Sequence, residues 1–264
     1  MKVDIVHMSV RKQTAYKQPF YYEIAFGFID AKKQVDLFEG FIKKYSEIKV
    51  KRFLDIGCGP SLQLREIAKR GYEAVGLDSS PEMLEYLSKE AEEEGVRIET
   101  VKADLTNFKL EKKVDFAFIM MGTISYVASN HEFLAHLNSV ADSLKKGGLY
   151  LIENFRLDWA NEDFFGPGSW TTEKDGIRVK TIYDIQLKDA LMQTITETMR
   201  LEVDDHGEKS TFEEIVNTKM IFPQEFLTLI QLNGRFKFIG WFERHRMKKL
   251  TKANMDNITI LRKK

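Results

Sequence analysis

Asp55-Ile56-Gly57-Cys58-Gly59 is the stretch of this 264-residue chain whose residue types and spacing point most directly to chemistry. A short apolar run, Phe53 to Ile56, ends in a tight glycine turn, and beyond it Leu62, Leu64, Ile67 and Ala68 recur at helical spacing. A strand, a glycine loop and a helix start in that order form a socket for a nucleoside-bearing ligand. Glycines let the backbone come close, and the free N–H groups of the helix N-terminus face whatever is bound. Asp55 adds specificity. A carboxylate two residues before the first glycine suits a ligand carrying an amino group or a positive charge, and would repel a pyrophosphate. Two further acids, Asp78 and Asp104, stand at the carboxyl ends of the next two expected strands, facing the same crevice.

The elements that must position these groups alternate between strand and helix. Strands are expected near 51–57, 73–78, 97–102, 114–121 and 149–154. Helices are expected near 61–70, 81–94 and 131–145, the last ending in a basic turn at Lys145-Lys146-Gly147-Gly148. Ser80 and Pro81 make a helix start. Val114 to Met121 is nearly all apolar, as in a strand covered on both faces. Repeated strand–helix units mean a doubly wound parallel sheet. Ahead of it, Val35, Leu37, Phe38, Phe41, Ile42 and Tyr45 mark an amphipathic helix. After residue 155 the period changes. Gly166-Pro167-Gly168 reads as a breaker. Three alternating runs follow, with turns at Lys174-Asp175-Gly176 and Asp205-His206-Gly207, and predict antiparallel strands. A helix over 223–233 and strands near 236–243 and 257–262 would complete a seven-stranded sheet. Residues 1–20 give no assignable pattern.

Composition narrows the class. Forty basic and forty acidic residues leave no formal net charge, so no global field recruits nucleic acid. Hydrophobic content of 43% with 12% aromatics is that of a globular chain. The one cysteine, Cys58, lies inside the glycine motif, which excludes an intrachain disulfide and fits a reducing cytoplasm. No apolar signal core opens the sequence, and the longest purely apolar run, Phe116 to Met121, is too short to span a bilayer. The five histidines show no metal-ligand spacing beyond a weak i, i+5 pair, His131 and His136, so no metal is expected.

Leu54 to Gly59, followed by the acid-ended strand Ala74-Val75-Gly76-Leu77-Asp78, resembles the class I S-adenosylmethionine (SAM)-dependent methyltransferases. The chain departs from that pattern at Ser61, where many members carry a further glycine. The resemblance implies a Rossmann-like α/β fold, a mostly parallel seven-stranded sheet with helices on both faces, and SAM as methyl donor. It places Gly57, Cys58 and Gly59 against the methionyl part, with Asp55 near its ammonium end. Asp78, 21 residues past Gly57 (78 − 57), falls to the ribose hydroxyls with Ser79 beside it. Asp104 falls to the adenine amino group with Ala103 next to it, and Met83 and Leu105 flank the ring. Tyr22 and Met121 complete the implied cofactor contacts. The chain then divides into one methyltransferase domain, 1–264, with an N-terminal helical cap over 20–46, a SAM-binding core over 47–155 and 222–264, and an antiparallel β insertion over 166–221.

The acceptor belongs over the end of the fourth strand, in Met120 to Tyr126. Relatives that methylate base or glutamine amino groups carry an Asn/Asp-Pro-Pro-aromatic motif there, and this chain does not. Cys58 is committed to the glycine loop, so it cannot serve as the nucleophile of pyrimidine carbon methylation. Both points favour a small-molecule N or O acceptor. A softer resemblance, to the glycine and amino-sugar N-methyltransferases, implies that the insertion roofs the substrate pocket and can form a homodimer. Tyr126, at a loop position where some of those enzymes place histidine, is the catalytic candidate. Tyr21, Gly122, Glu153, Asn154, Arg156 and Trp170 are candidate substrate contacts. For Trp170 a core role is equally consistent, and for Arg156 a surface role is the preferred reading. Glu90 to Glu94 and the basic run from Arg244 to Lys249 read as solvated faces. No membrane or nucleic-acid partner is expected. RNA or protein methylation, a non-catalytic SAM-binding role and a dinucleotide oxidoreductase remain as alternatives. The last lacks its third glycine at Leu62 and has no use for Asp55 or Asp104.

Overall fold

The computed structural model describes residues 14–157 and 164–264. Eleven strands and six α-helices run in the order α1 (Pro19–Ala25), α2 (Ala31–Tyr45), β1 (Arg52–Ile56), α3 (Leu62–Lys69), β2 (Glu73–Asp78), α4 (Pro81–Glu93), β3 (Ile98–Lys102), β4 (Val114–Ile119), α5 (Asn130–Ser143), β5 (Leu144–Glu153), β6 (Gly166–Lys174), β7 (Ile177–Asp189), β8 (Thr194–Asp205), β9 (Glu208–Lys219), α6 (Pro223–Asn233), β10 (Phe236–Glu243) and β11 (Asn257–Lys263). One sheet has the order β10-β11-β5-β4-β1-β2-β3, and β11 is antiparallel to both its neighbours. The expected seven-stranded sheet is therefore present, with β1 and β4 at its middle.

Alternation along the central strands explains the layers. Phe53, Phe116 and Phe118 pack with Val35, Phe38 and Phe41 of α2 and with apolar residues of α3 and α4. Leu54, Ile56, Ala117 and Ile119 turn to the other face, against Phe133 and Leu137 of α5 and Phe226 of α6. Both faces are buried, so β4 has to be apolar throughout. The second sheet, β6-β7-β8-β9, is antiparallel, and its apolar face (Val179, Met199, Leu201, Val203) packs on Ile24 and Ala25 of α1 and on Phe26 just past its end.

Three local readings need correction. Gly166-Pro167-Gly168 does not break the chain but opens β6, pairing with Tyr183 to Ile185; β6 is an edge strand, where proline costs no interior ladder bond. The basic glycine stretch 145–148 does not end α5, because α5 stops at Ser143 and β5 begins at once. Leu144 pairs with Val114 and Leu149 with Phe116, so the residues between bulge out, and Lys145 reaches Asp115 at 2.7 Å. The 20–46 region is two helices rather than one. α2 lies in the sheet-packed core, and α1 alone meets the second sheet. The expected turns are there: Asp175-Gly176 and His206-Gly207 both have positive φ, as two-residue hairpin turns require.

Candidate functional site

The carboxyl ends of β1, β2 and β3 open onto a cavity of about 350 Å³, lined by Gly57, Gly59, Asp78, Ser79, Met83, Ala103, Asp104 and Leu105. A smaller adjoining pocket of about 70 Å³ lies over the glycine turn, lined by Asp55, Gly57, Cys58, Gly59 and Met121 among others. Tyr22 of α1 lines both. Every residue expected to touch the methyl donor therefore borders one of two neighbouring hollows.

The turn is built for close approach. Gly57 has φ +66°, and a Cβ there would meet Thr123 Cγ2 at 2.6 Å. Ser61, where the resemblance noted in the sequence leads one to expect a glycine, still adopts the left-handed region at φ 33°. Hydrogen bonds hold it there: its hydroxyl accepts from Leu64 N at 3.1 Å and donates to Asp55 Oδ2 at 2.6 Å. That leaves Asp55 Oδ1 buried without a partner. Burial, with the Asp78 and Glu153 charges nearby, holds the Asp55 carboxyl well above the usual range, against the lowering by Ser61. Asp78 is differently set: its two oxygens accept from Gly59 N at 2.8 Å and Ser80 N at 2.9 Å, so it fixes the glycine loop as well as facing the cavity. Asp104 Oδ1 takes the N–H and hydroxyl of Thr106, at 2.7 and 2.5 Å, leaving its other oxygen for a ligand.

A third cavity, about 520 Å³, lies between α1, the turn after β4, the end of β5 and the second sheet. Tyr16, Tyr22, Thr123 and Tyr126 line both it and the inner cavity, so phenols and a hydroxyl stand where the two meet. The Tyr16 and Tyr126 hydroxyls hydrogen-bond to one another. Burial raises the pKa of Tyr16, Tyr22 and Tyr126, keeping all three neutral at physiological pH. Gly122, Asn154, Arg156 and Trp170 line the outer cavity. Tyr21 does not: it stacks on Phe212 and donates to Asp205 Oδ2 at 2.8 Å. Glu153 also lies apart from the cavities and instead organises the floor. Its carboxylate accepts from Met121 N (2.9 Å), Arg244 Nε (2.8 Å) and Gln34 Nε2 (3.2 Å), and its carbonyl from Gly122 N (3.3 Å). Met121, Gly122 and Asn154 all have positive φ, and the buried Asn154 Oδ1 has no partner.

Two surface readings fail here. Arg156 is buried, with Nη2 2.6 Å from Glu197 Oε1, while Tyr183 and Thr218 hydroxyls donate to the same carboxylate. Arg244, read as part of a solvated run, is drawn in by Glu153 and lines the outer cavity. Glu197 had a readable signal, since Ile195, Met199, Leu201 and Val203 put its side chain on the buried face of β8. Tyr16 and Arg244 had none, because their segments lack periodicity. Among the described residues no group of three or more His, Cys, Asp or Glu side chains could hold a metal, and no helix is long and apolar enough to cross a membrane.

Residues 53–148 match the family described as Methyltransferase domain. Among curated proteins, the chain is 27% identical over 125 residues to a methyltransferase of Geobacillus sp. (strain WCH70), covering 46% of this chain and 51% of that one. It is 26% identical over 111 residues to the dTDP-3-amino-3,4,6-trideoxy-alpha-D-glucopyranose N,N-dimethyltransferase of Streptomyces venezuelae, covering 42% and 44%. The chain thus spans about half the length of the curated relatives it matches. Among solved structures, a S-adenosylmethionine-dependent methyltransferase from Clostridium acetobutylicum superposes with a TM-score of 0.75 at 16% identity, over 92% of this chain and 95% of that one. This last likeness extends the shared fold over the inserted sheet as well as the core.

Proposed function

We propose that this chain, whose residues 53–148 match the methyltransferase domain family, moves a methyl group from SAM to a nitrogen or oxygen of a small molecule held in the outer cavity. The observation that carries this reading is Asp55. A buried carboxylate oxygen with no partner, beside a glycine turn, is costly unless a cationic donor reaches it. The methionyl ammonium of SAM is such a donor, and the same carboxylate would reject a dinucleotide's pyrophosphate. The rest of the inner site fits too. Each Asp78 oxygen retains a lone pair beyond its backbone N–H for a ribose hydroxyl, and Asp104 keeps one oxygen for an adenine amino group.

When bound, SAM supplies a methyl already activated by its sulfonium. The protein's part is alignment and exclusion of water. Tyr16, Tyr22, Thr123 and Tyr126 ring the junction through which an acceptor atom must approach. Among the described residues no carboxylate or imidazole lines both cavities: Asp78, Asp104 and Glu132 line the inner one and Glu197 and Asp256 the outer one, and the three phenols at the junction are neutral. The acceptor atom therefore arrives with its lone pair available, and Tyr126 orients it rather than deprotonating it. The lining of the outer cavity, aromatic with an ion pair at Arg156–Glu197 and an unpartnered Asn154 oxygen, suits a compact polar molecule with an apolar ring face. An amino sugar fits that description, in line with the acceptor named for the Streptomyces venezuelae relative. The roof formed by α1 and the second sheet supports a small acceptor over RNA or protein.

Homodimerisation through the insertion is part of the same proposal. Leu187, Leu191, Met192 and Ile215 are large apolar residues left exposed on that sheet and its hairpin. Leu191→Asp with Met192→Asp should convert a dimer to a monomer by light scattering; a wild-type chain that is already monomeric at high concentration contradicts it. A cytoplasmic setting agrees with a single buried cysteine. The deciding experiment for function is transfer of labelled methyl from SAM to amines, amino sugars, phenols and carboxylates. Label is expected in a small amine or hydroxyl compound; label only in RNA or peptide would overturn the reading.

A further inference from the structure

We infer that a buried polar stripe on α5, made of His136, Ser139 and Ser143, positions the nucleobase wall of the inner cavity and so sets selectivity for an amino-purine. The inference rests on the donor reading above and adds residues to it that touch no ligand.

The wall is residues 103–110, after β3. Asp104, Leu105 and Thr106 line the cavity, yet the segment belongs to no strand or helix and has a single bridge, Asp104 to Asn107. Its backbone groups must find partners elsewhere. His136, Ser139 and Ser143 occupy i, i+3 and i+7 of α5, on its inward side, where each is at most 9% exposed. Polar side chains at core positions are unfavourable unless bonded. All three are bonded to this one segment. His136 Nδ1 lies 2.7 Å from Leu105 O; the Ser139 hydroxyl donates to Thr106 O at 3.1 Å and accepts from Phe108 N at 3.3 Å; the Ser143 hydroxyl accepts from Leu110 N at 3.3 Å. The stripe stands in for the missing strand partner.

The tautomer of His136 follows from its neighbours. A carbonyl oxygen only accepts, so Nδ1 carries the proton. Nε2 must then accept, and the buried Tyr150 hydroxyl donates to it at 2.7 Å. Complete burial pushes the imidazole pKa down to about 4, so it stays neutral and keeps this one arrangement. From the stripe the constraint passes to the ligand side. Thr106, fixed through its carbonyl by Ser139, holds Asp104 Oδ1 with both its N–H and its hydroxyl, leaving one carboxylate oxygen to receive an exocyclic amino group.

The test is calorimetric titration of the full chain with S-adenosylhomocysteine, 5′-methylthioadenosine and S-inosylhomocysteine, in wild type, His136→Leu, His136→Asn and Ser139→Ala. His136→Leu should weaken both adenine ligands by about tenfold and the inosine ligand much less, narrowing the adenine preference. His136→Asn, whose amide can donate where Nδ1 does, should restore it. If His136→Leu does not fold, Ser139→Ala carries the test, with the same narrowing expected. An unchanged adenine preference, or an equal loss for all three ligands that His136→Asn fails to rescue, overturns the inference. A wild-type chain that binds none of the three would instead refute the donor reading itself.

Discussion

Asp55 and Asp78 do different work although both are acids at strand ends. Asp55 has one oxygen tied to Ser61 and one left bare, whereas Asp78 is tied through one oxygen to the glycine loop at Gly59 and through the other to Ser80 at the start of α4. On the proposed reading, Asp78→Ala removes the ribose contacts together with two backbone anchors, Gly59 and Ser80. Binding of S-adenosylhomocysteine should weaken by at least about 100-fold, because charge-assisted bonds are worth some 1.5–3 kcal/mol each. A loss below threefold would mean that Asp78 does not face the ribose. Tyr126→Phe separates orientation from proton transfer. Removing an orienting hydroxyl should lower kcat by about tenfold and leave the pH profile in place, while removing a true base costs about 10²–10⁴-fold. The acidic positions were legible in the sequence because strand, glycine and acid spacing fix them together. Ser61's part was not: a hydroxyl that holds left-handed backbone by hydrogen bonds leaves no trace in residue spacing.

Helix α1 is short and has little stability of its own, so its place over the site depends on what it meets. Glu23 is buried and pairs with Arg65 of α3 at 2.5 Å, and Arg65 also reaches Glu90 of α4 and Glu94 just past its end, at 3.1 and 3.3 Å. Glu90 and Glu94, read from sequence as a solvated face, thus help tie α1, α3 and α4 together. Arg65→Met leaves buried Glu23 with only the more distant Lys174, at 3.8 Å, and should destabilise the fold by about 3 kcal/mol, read as a lowered denaturant midpoint with unchanged slope. Helix α5 offers a pH test. His136 has a folded pKa of about 4 against an ordinary 6.5, so between these values the unfolded chain binds the extra proton. Stability should fall as pH drops from 6.5 to 4, by up to about 3 kcal/mol from this group. Comparison with His136→Asn isolates that contribution, and equal pH slopes in the two proteins would contradict it. Element types and order were readable from periodicity, including the switch to period two after residue 155. The start of β5 was not, because Lys145 to Gly148 reads as a helix end while the strand's bulge is set by Asp115 across the sheet.

At the scale of the molecule, two sheets divide the labour. The parallel sheet brings Asp55, Asp78 and Asp104 to one edge, and the antiparallel sheet with α1 encloses a second cavity joined to the first by tyrosines. The donor half was legible because a nucleoside cofactor demands a fixed backbone shape. The acceptor half was legible only in outline. Tyr16, Arg244 and Glu197 meet partners 110, 91 and 41 (197 − 156) residues away, Tyr126, Glu153 and Arg156, and their roles come from packing rather than local pattern. The most direct test of the central claim is calorimetric titration of the intact chain with S-adenosylhomocysteine and, separately, NAD. Micromolar or tighter binding of S-adenosylhomocysteine, lost in Asp55→Asn, with no heat from NAD, is the expected result. Tight NAD binding with no response to S-adenosylhomocysteine would contradict it.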